Sequence, residues 1–239
     1  MTTHYKTRAF VFKKNDRNEA DRIFSVFTDD FGRLDIFAKA IRKNASKLRS
    51  GIDTFFMSDI EFIQGKSRKT LTDASIIKKF GNISKDPKKF KIASKISEIL
   101  DSFIRGEEKD KEIFDLIEDT FCKLSDSTPK NNKDVLLYYY FLWNALSILG
   151  YRPEVEKCNA CQQKLDPQNI YFSDKSAGTI CKNCFKPGSE QKINSDVVKI
   201  LRLIFKKDWQ ILSKLKIEPA SQKLLVDISG KAIHDFYPS

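Results

Sequence analysis

Four cysteines constrain this chain more than any other feature of its sequence. They form two Cys-x-x-Cys pairs, Cys158 with Cys161 and Cys181 with Cys184. The loop between the pairs is long enough for four sulfurs to converge at the corners of a tetrahedron, which is the ligand set of a structural zinc site. Zn²⁺ held by four thiolates has no open position for water or substrate, so we predict one structural Zn²⁺ per chain.

Two other interpretations of these cysteines stay open. Two disulfides would suit a secreted chain, but Met1–Phe10 mixes charges with single apolar residues and does not resemble a signal peptide. An iron–sulfur cluster uses the same kind of ligand set. The fifth cysteine, Cys122, has no cysteine or histidine partner nearby in sequence, so we expect a buried structural thiol there.

The longest uncharged run, Val135–Tyr151, is slightly short for a membrane span and is interrupted by Asn144 and Ser147. We predict a buried helix at this position instead. The expected protein is therefore soluble and cytoplasmic, associated with the nucleoid, with no membrane partner.

The net charge of +11 is unevenly distributed along the 239 residues. Residues 1–80 carry 17 basic and 10 acidic side chains, whereas residues 81–157 carry 13 and 14. Residues 158–239 carry 13 basic and 8 acidic side chains. Positive ends favour a polyanion such as nucleic acid, or an anionic membrane surface, although basic solvated surfaces without such a partner are common.

The N-terminal third of the chain predicts five short strands, because β-branched and aromatic residues alternate with turn sequences. The strands are expected at Thr7–Lys13, Ile23–Thr28, Leu34–Ala40, Phe56–Ile63 and Thr70–Ile77, with a polar loop at Asn15–Glu19. The fourth strand places Phe56, Ser58, Ile60 and Phe62 on one face, which indicates a core on that side. Five such strands fit a small barrel or a sandwich, and periodicity cannot choose between them.

A basic loop between the third and fourth strands is the second informative stretch. No acidic residue occurs between Asp35 and Asp53, and the hairpin after the fourth strand has a basic tip. Positive charge of this density is either simply solvated or meets an anion, and a nucleic acid backbone would replace self-repulsion by attraction. The residues predicted to bind nucleic acid are Lys39, Arg42, Lys43, Lys47 and Arg49 in the loop, with Arg68 and Lys69 at the tip.

After Gly81 the apolar period becomes helical. Two stripes are expected, Phe90, Ala93, Ile96, Leu100 and Phe103 in one helix and Ile113, Leu116, Ile117, Phe121 and Leu124 in the next. Val135–Leu149 is apolar almost all round, so it should be the central helix of this region. Pro187–Glu190 is predicted to be a loop, and further helices are expected from Ser195 and Ala220.

The sequence offers little that could carry catalysis. His4 and His234 are its two histidines, and Walker, dinucleotide-binding and zinc-deaminase motifs are absent. We predict a binding protein that is not an enzyme, with no catalytic residues. A generic OB-fold and zinc-ribbon module of transcription or RNA metabolism is the alternative, and a nuclease with unrecognised carboxylates is a second one.

Several short stretches, taken in order, resemble the RecO family of bacterial recombinational repair. They are Asn18–Arg22 (NEADR), Phe27–Gly32 (FTDDFG), Ala38–Lys43 (AKAIRK), Leu149–Pro153 (LGYRP) and Tyr171–Ser173 (YFS). The resemblance implies an α+β protein with an N-terminal five-stranded OB-fold β-barrel over residues 1–80. It also implies an all-α domain over residues 81–239 that carries a zinc-ribbon-like insertion with the four cysteines at about 154–188.

The same resemblance implies a recombination mediator that binds single-stranded and double-stranded DNA and anneals complementary strands. The implied partners are RecR, the C-terminal tail of single-strand DNA-binding protein (SSB) and, indirectly, RecA. Two positions depart from the family, which often has glycine where Ala40 and Gln162 stand. We expect Ala40 to alter how the loop approaches a backbone and Gln162 to deny the metal turn an easy positive φ.

Overall fold

The computed structural model describes residues 3–127, 134–173, 178–188 and 190–236. The chain forms two compact units that divide between Tyr138 and Tyr139. Within the described ranges, no helix combines the length and the apolar character that crossing a lipid bilayer requires.

The first unit begins with a closed five-stranded barrel. Its strands are β1 (His4–Arg17), β2 (Asp21–Thr28), β3 (Gly32–Ala38), β4 (Phe56–Gln64) and β5 (Lys69–Lys79), in the order β1-β2-β3-β5-β4. β1 pairs with both β2 and β4, and β3 pairs with β5 in parallel. This is the five-stranded barrel of an OB fold, and it confirms the predicted fold class.

The barrel core follows the predicted alternation. Ser58, Ile60 and Phe62 of β4 are buried, although Met57 on the opposite parity is buried as well. The first strand is longer than predicted, because residues 15–17 continue the antiparallel ladder with β2 although they are polar and exposed. Ladder hydrogen bonds here outweigh a composition that is typical of a loop.

Three helices complete the first unit: α1 (Gly81–Lys85), α2 (Pro87–Phe103) and α3 (Lys111–Asp126). The ring of Phe121 in α3 lies 4.4 Å from that of Phe10 and 5.6 Å from that of Phe55, so α3 packs on the barrel. The predicted stripe of α3 is buried throughout. The α2 stripe is wrong for Phe90, which is 48% exposed and meets Phe55 with its ring edge-on.

The second unit is built around α4 (Asp134–Ile148), within which the unit boundary falls. Its other helices are α5 (Ser195–Phe205), α6 (Trp209–Leu212) and α7 (Pro219–Phe236). Trp143 Nε1 donates to Ser229 Oγ at 3.0 Å, and Asn144 Nδ2 donates to the Ile204 carbonyl at 3.2 Å. These contacts confirm that the apolar helix is central to this part of the chain.

A three-stranded antiparallel ribbon lies between α4 and α5 in sequence. Its strands are β6 (Ile170–Ser173), β7 (Gly178–Cys181) and β8 (Glu190–Ile193), with β6 in the middle. Glu190, predicted to lie in a loop, is the first residue of β8 and pairs with Ser173. The short turn before it hid the strand from the sequence pattern.

Candidate nucleic-acid interface and metal centre

The four predicted metal ligands come together at the start of the ribbon. The Sγ atoms of Cys158, Cys161, Cys181 and Cys184 all lie within 4.8 Å of one another. Cys161 Sγ and Cys181 Sγ are 3.7 Å apart, and a tetrahedron with metal–sulfur bonds of ~2.3 Å has edges of about 3.8 Å. All the described cysteines are free thiols, so no disulfide competes for them. The cluster could therefore hold a metal ion.

The backbone around Thr179 brings the two cysteine pairs together. Thr179 N–H donates to the Glu154 carbonyl at 2.8 Å, and the Thr179 carbonyl accepts from Asn159 N–H at 2.8 Å. A Cβ on Gly178 would lie 2.6 Å from the Glu154 carbonyl oxygen, so this close approach requires glycine. The second pair is thereby fixed beside the turn that carries the first.

The turn after Cys161 keeps a left-handed residue without glycine. Gln162 has φ +62°, and its N–H donates to the Cys158 carbonyl at 2.8 Å. Its side chain donates to the Asn159 carbonyl at 3.0 Å. The positive φ is thus present, and local hydrogen bonds offset its strain.

The thiols of this cluster differ in acidity. Burial tends to raise the pKa of Cys158, but N–H groups of Cys161, Cys181 and Ala160 outweigh it and lower that pKa to about 6. Contacts with Cys161 and Cys181 raise the pKa of Cys184 to about 12. One thiolate therefore forms readily, and further negative charge is opposed unless a cation neutralises it. A divalent metal would supply that neutralisation.

Cys122 lies away from this cluster and differs from expectation. It is half-buried, and Lys78 Nζ donates to its Sγ at 2.9 Å. The prediction of a buried structural thiol is therefore wrong, because a charged partner on β5 holds the sulfur near the surface.

The basic loop is seated on the barrel by apolar anchors. Ile41 and Ile52 are each 2% exposed and belong to the barrel core. Between them the chain forms a 3-10 helix at Lys47–Ser50, and Ser58 Oγ donates to the Gly51 carbonyl at 2.8 Å. The five predicted cations of this loop, Lys39, Arg42, Lys43, Lys47 and Arg49, are exposed.

The base of the loop is held by the turn between β1 and β2. Ala40 N–H donates to Asp21 Oδ1 at 2.8 Å, and Arg42 N–H donates to the Ala20 carbonyl at 3.0 Å. Ala40 has φ +53°, so it keeps the left-handed conformation that glycine would adopt without strain.

The hairpin tip lies beside the start of the basic loop. Parallel pairing sets Phe37 of β3 opposite Thr70 of β5, and the Arg68 guanidinium lies 3.9 Å above the centre of the Phe37 ring. The other end of the loop is farther along β5, since Gly51 approaches Ala74. Five residues of strand separate Lys69 from Ala74, or about 17 Å. The seven predicted residues therefore extend along the barrel as a band.

Two of these cations have acidic partners that sequence distance concealed. Arg42 Nη1 lies 3.5 Å from Asp16 Oδ2, and Lys69 Nζ lies 2.5 Å from Glu107 Oε1. The positive charge of the band is therefore partly compensated, whereas the sequence predicted none.

A cleft of about 910 Å³ opens beside the hairpin tip. Its wall includes Phe37, the acids Asp35, Asp101 and Glu107, and five cations: Arg17, Arg33, Arg68, Lys69 and Arg105. Sequence reasoning missed Arg17, Arg33 and Arg105 because none lies in a run of positive charge. Arg33 is fixed here, with Nη2 at 2.5 Å from Asp101 Oδ1.

Comparison with known proteins identifies the family. The profile described as Recombination protein O N terminal matches residues 1–80, and the one described as Recombination protein O C terminal matches residues 84–235. The chain belongs to the RecO family. A relative named DNA repair protein RecO, from Dehalococcoides mccartyi strain 195, is 34% identical over 213 residues, which is 89% of this chain and 83% of the relative.

Other members of the family are more distant in sequence. The protein of the same name from Caldanaerobacter subterraneus is 28% identical over 89% of this chain and 84% of its own length. That from Halalkalibacterium halodurans is 26% identical over 98% of this chain and 88% of its own length. The RecO-family match therefore extends over both compact units.

Proposed function

We propose that this RecO-family chain acts in DNA repair by binding DNA along the basic band of its barrel. The observation that carries the proposal is the seating of the loop, in which Ile41 and Ile52 are buried while the intervening cations face solvent. A loop that is already ordered loses little conformational entropy on binding. We assign residues 1–80 as the DNA-binding domain.

The proposed contact is with the phosphate backbone. A band of about 17 Å spans about five phosphates at the 3.4 Å spacing of one strand. Phosphates are alike at every base, so binding should tolerate any sequence and accept both single-stranded and double-stranded DNA. Arg68 stacked on Phe37 adds an aromatic surface beside this path, on which an unpaired base could stack.

Annealing follows from the same charges, because two strands whose phosphates are neutralised can meet without strong repulsion. RecR is the proposed partner, and the chain would help to load RecA onto DNA coated by SSB. Docking of the acidic, apolar SSB tail is assigned to the helical region, residues 81–239. In the second unit, Ile211 and Val226 are about half exposed, at 49% and 47%, each with a lysine three residues away, Lys214 and Lys223.

The metal is proposed to be a single structural Zn²⁺. Four sulfur donors at tetrahedral spacing favour zinc, and the same set leaves no position for substrate. Cys158, Cys161, Cys181 and Cys184 would hold the ion and fix the ribbon.

The chain is proposed to act by binding and not by catalysis. Membership of the RecO family favours this over a transcription or RNA-metabolism module. A preference for RNA over DNA would revive that alternative. Cleavage of labelled DNA in the presence of Mg²⁺ would instead reveal a nuclease.

The experiment that tests the proposed function is an annealing assay with complementary labelled oligonucleotides. We expect the variant Lys39→Ala, Arg42→Ala, Lys43→Ala to anneal strands more slowly than the parent. The matched control, Lys85→Ala, Lys88→Ala, Lys91→Ala, removes the same charge from exposed lysines of α1 and α2. Equal annealing by both variants would contradict the assignment, and the basic C-terminal helices would become the better candidate.

A further inference from the structure

Asp21 links the two loops at the base of the basic band. It is the first residue of β2 and is half-buried. Its Oδ1 accepts the N–H of Ala40 at 2.8 Å, and its Oδ2 accepts from Asn18 Nδ2 at 3.1 Å. One carboxylate therefore joins the β1–β2 turn to the loop that carries the cations.

The residue that Asp21 holds has an unfavourable backbone. Ala40 has φ +53°, a region that residues with a Cβ rarely occupy unless their surroundings impose it. The Ala40 carbonyl in turn accepts Lys43 N–H at 3.1 Å, so its conformation sets the path of the following residues. Without the acceptor on Asp21, Ala40 can relax to a common conformation and the cations beside it move.

The charge of Asp21 acts in the opposite direction. The Ala40 N–H, helped by Asn18 and the cations Lys39 and Arg68, holds the pKa of Asp21 below its usual range. The carboxylate is therefore ionised at neutral pH and attracts the side chains that would bind phosphate. Considered as charge alone, Asp21 opposes DNA binding, whereas its hydrogen bond to Ala40 would favour it.

We propose that Asp21 is a positioning residue of the DNA site, which holds Ala40 so that Lys39 and Arg42 face one phosphate backbone. This inference rests on the proposed function and deepens it. It assigns a task to the Asn18–Arg22 segment, which the DNA-contact residues leave without one.

The experiment compares three full-length variants by their affinity for a labelled single-stranded oligonucleotide. Asp21→Asn removes the charge but keeps an oxygen acceptor for Ala40, so affinity should equal or exceed that of the parent. Asp21→Ala removes both, and the removal of each phosphate contact should weaken binding about fivefold at 0.1 M salt and lower the salt slope by about 0.7. Glu19→Ala, in the same turn and exposed, should leave affinity undiminished.

The opposite sign of the two effects makes the outcome decisive. If Asp21→Ala binds as tightly as Asp21→Asn, the positioning role is contradicted. Should Asp21→Ala fail to fold, the double variant Asp21→Ala, Ala40→Gly replaces it, because glycine adopts the positive φ without strain. That double variant should bind more weakly than Ala40→Gly alone, and equal affinity would also contradict the role.

A separate measurement distinguishes this failure from failure of the proposed function. If the variant Lys39→Ala, Arg42→Ala, Lys43→Ala binds as the parent does, the DNA site itself is misplaced. If that variant binds weakly while Asp21→Ala matches Asp21→Asn, the DNA site is supported and only the inference about Asp21 is wrong.

Discussion

Lys69 Nζ lies 2.5 Å from Glu107 Oε1 at the cleft beside the hairpin tip. The side chain of Lys69 is 16% exposed, whereas that of Glu107 is 61% exposed. Glu107 therefore presents a carboxylate where a DNA phosphate would otherwise meet the lysine. Ion pairs at the surface contribute little stability, so an incoming polyanion can displace this one.

We predict that Glu107→Gln strengthens binding to a single-stranded oligonucleotide. If Lys69 then binds one additional phosphate, affinity should rise about fivefold at 0.1 M salt and the salt slope should steepen by about 0.7. Fluorescence anisotropy across a salt series measures both quantities. Glu108→Gln is the matched control, because it removes the same charge from the adjacent exposed residue. An equal increase in the control would show that net charge, and not the ion pair, limits binding.

Metal content should depend on Cys181 and not on Cys122. The purified parent should hold about one Zn²⁺, and Cys181→Ser should lose it and unfold at lower denaturant concentration, since metal-binding free energy is also folding free energy. Cys122→Ser should retain the metal, because its thiol contacts Lys78 instead of the cluster. Elemental analysis and denaturation give the two readouts. Full occupancy in Cys181→Ser, or an empty parent, would contradict the ligand assignment.

Gly51 allows the end of the basic loop to approach β5. A Cβ there would lie 1.9 Å from the Ala74 carbonyl oxygen, so Gly51→Ala should destabilise the protein by about 2 kcal/mol or more. Gly230→Ala is the control, because a Cβ meets nothing within 4 Å in the middle of α7. It should stabilise by up to ~1 kcal/mol. Urea denaturation distinguishes the two signs, and a neutral Gly51→Ala would show that the loop is loosely seated.

The proposed docking of the SSB tail predicts sensitivity in the second unit. Val226→Glu should weaken binding of a peptide with an acidic, apolar C-terminus, because it removes an exposed apolar contact and adds a repelling charge. Ile77→Glu changes an equally exposed side chain on the barrel and should leave peptide binding unaltered. Calorimetric titration of the peptide measures this. Loss of binding in Ile77→Glu alone would move the docking surface to the barrel.

Local pattern was enough to predict the barrel strands and the metal ligands. Alternation in β4 and the cysteine spacing both depend on neighbours in sequence, and the structure confirms them at Ile60, Phe62 and the four sulfurs. Strand ends were less predictable, because residues 15–17 are polar and are held in β1 by the ladder with β2. The ribbon strands are only four residues long, and β8 follows a turn sequence.

Long-range charge pairing was beyond the reach of sequence. Arg42 meets Asp16, and Lys69 meets Glu107, although 26 and 38 positions separate the partners. The isolated cation Arg33 reaches the cleft only because α2 ends beside β3, where Asp101 fixes it. Partners of this kind depend on how elements pack, which no local pattern contains.

A salt titration of DNA binding tests the central claim most directly. Affinity for a labelled single-stranded oligonucleotide is measured over a range of salt concentrations for the parent, for Lys39→Ala, Arg42→Ala, Lys43→Ala, and for the control Lys85→Ala, Lys88→Ala, Lys91→Ala. If each loop cation makes one phosphate contact, the slope of log affinity against log salt should fall by roughly 2 in the loop variant and stay unchanged in the control. Unchanged affinity and slope in a loop variant with parental circular dichroism and metal content would contradict the claim that the basic loop binds DNA.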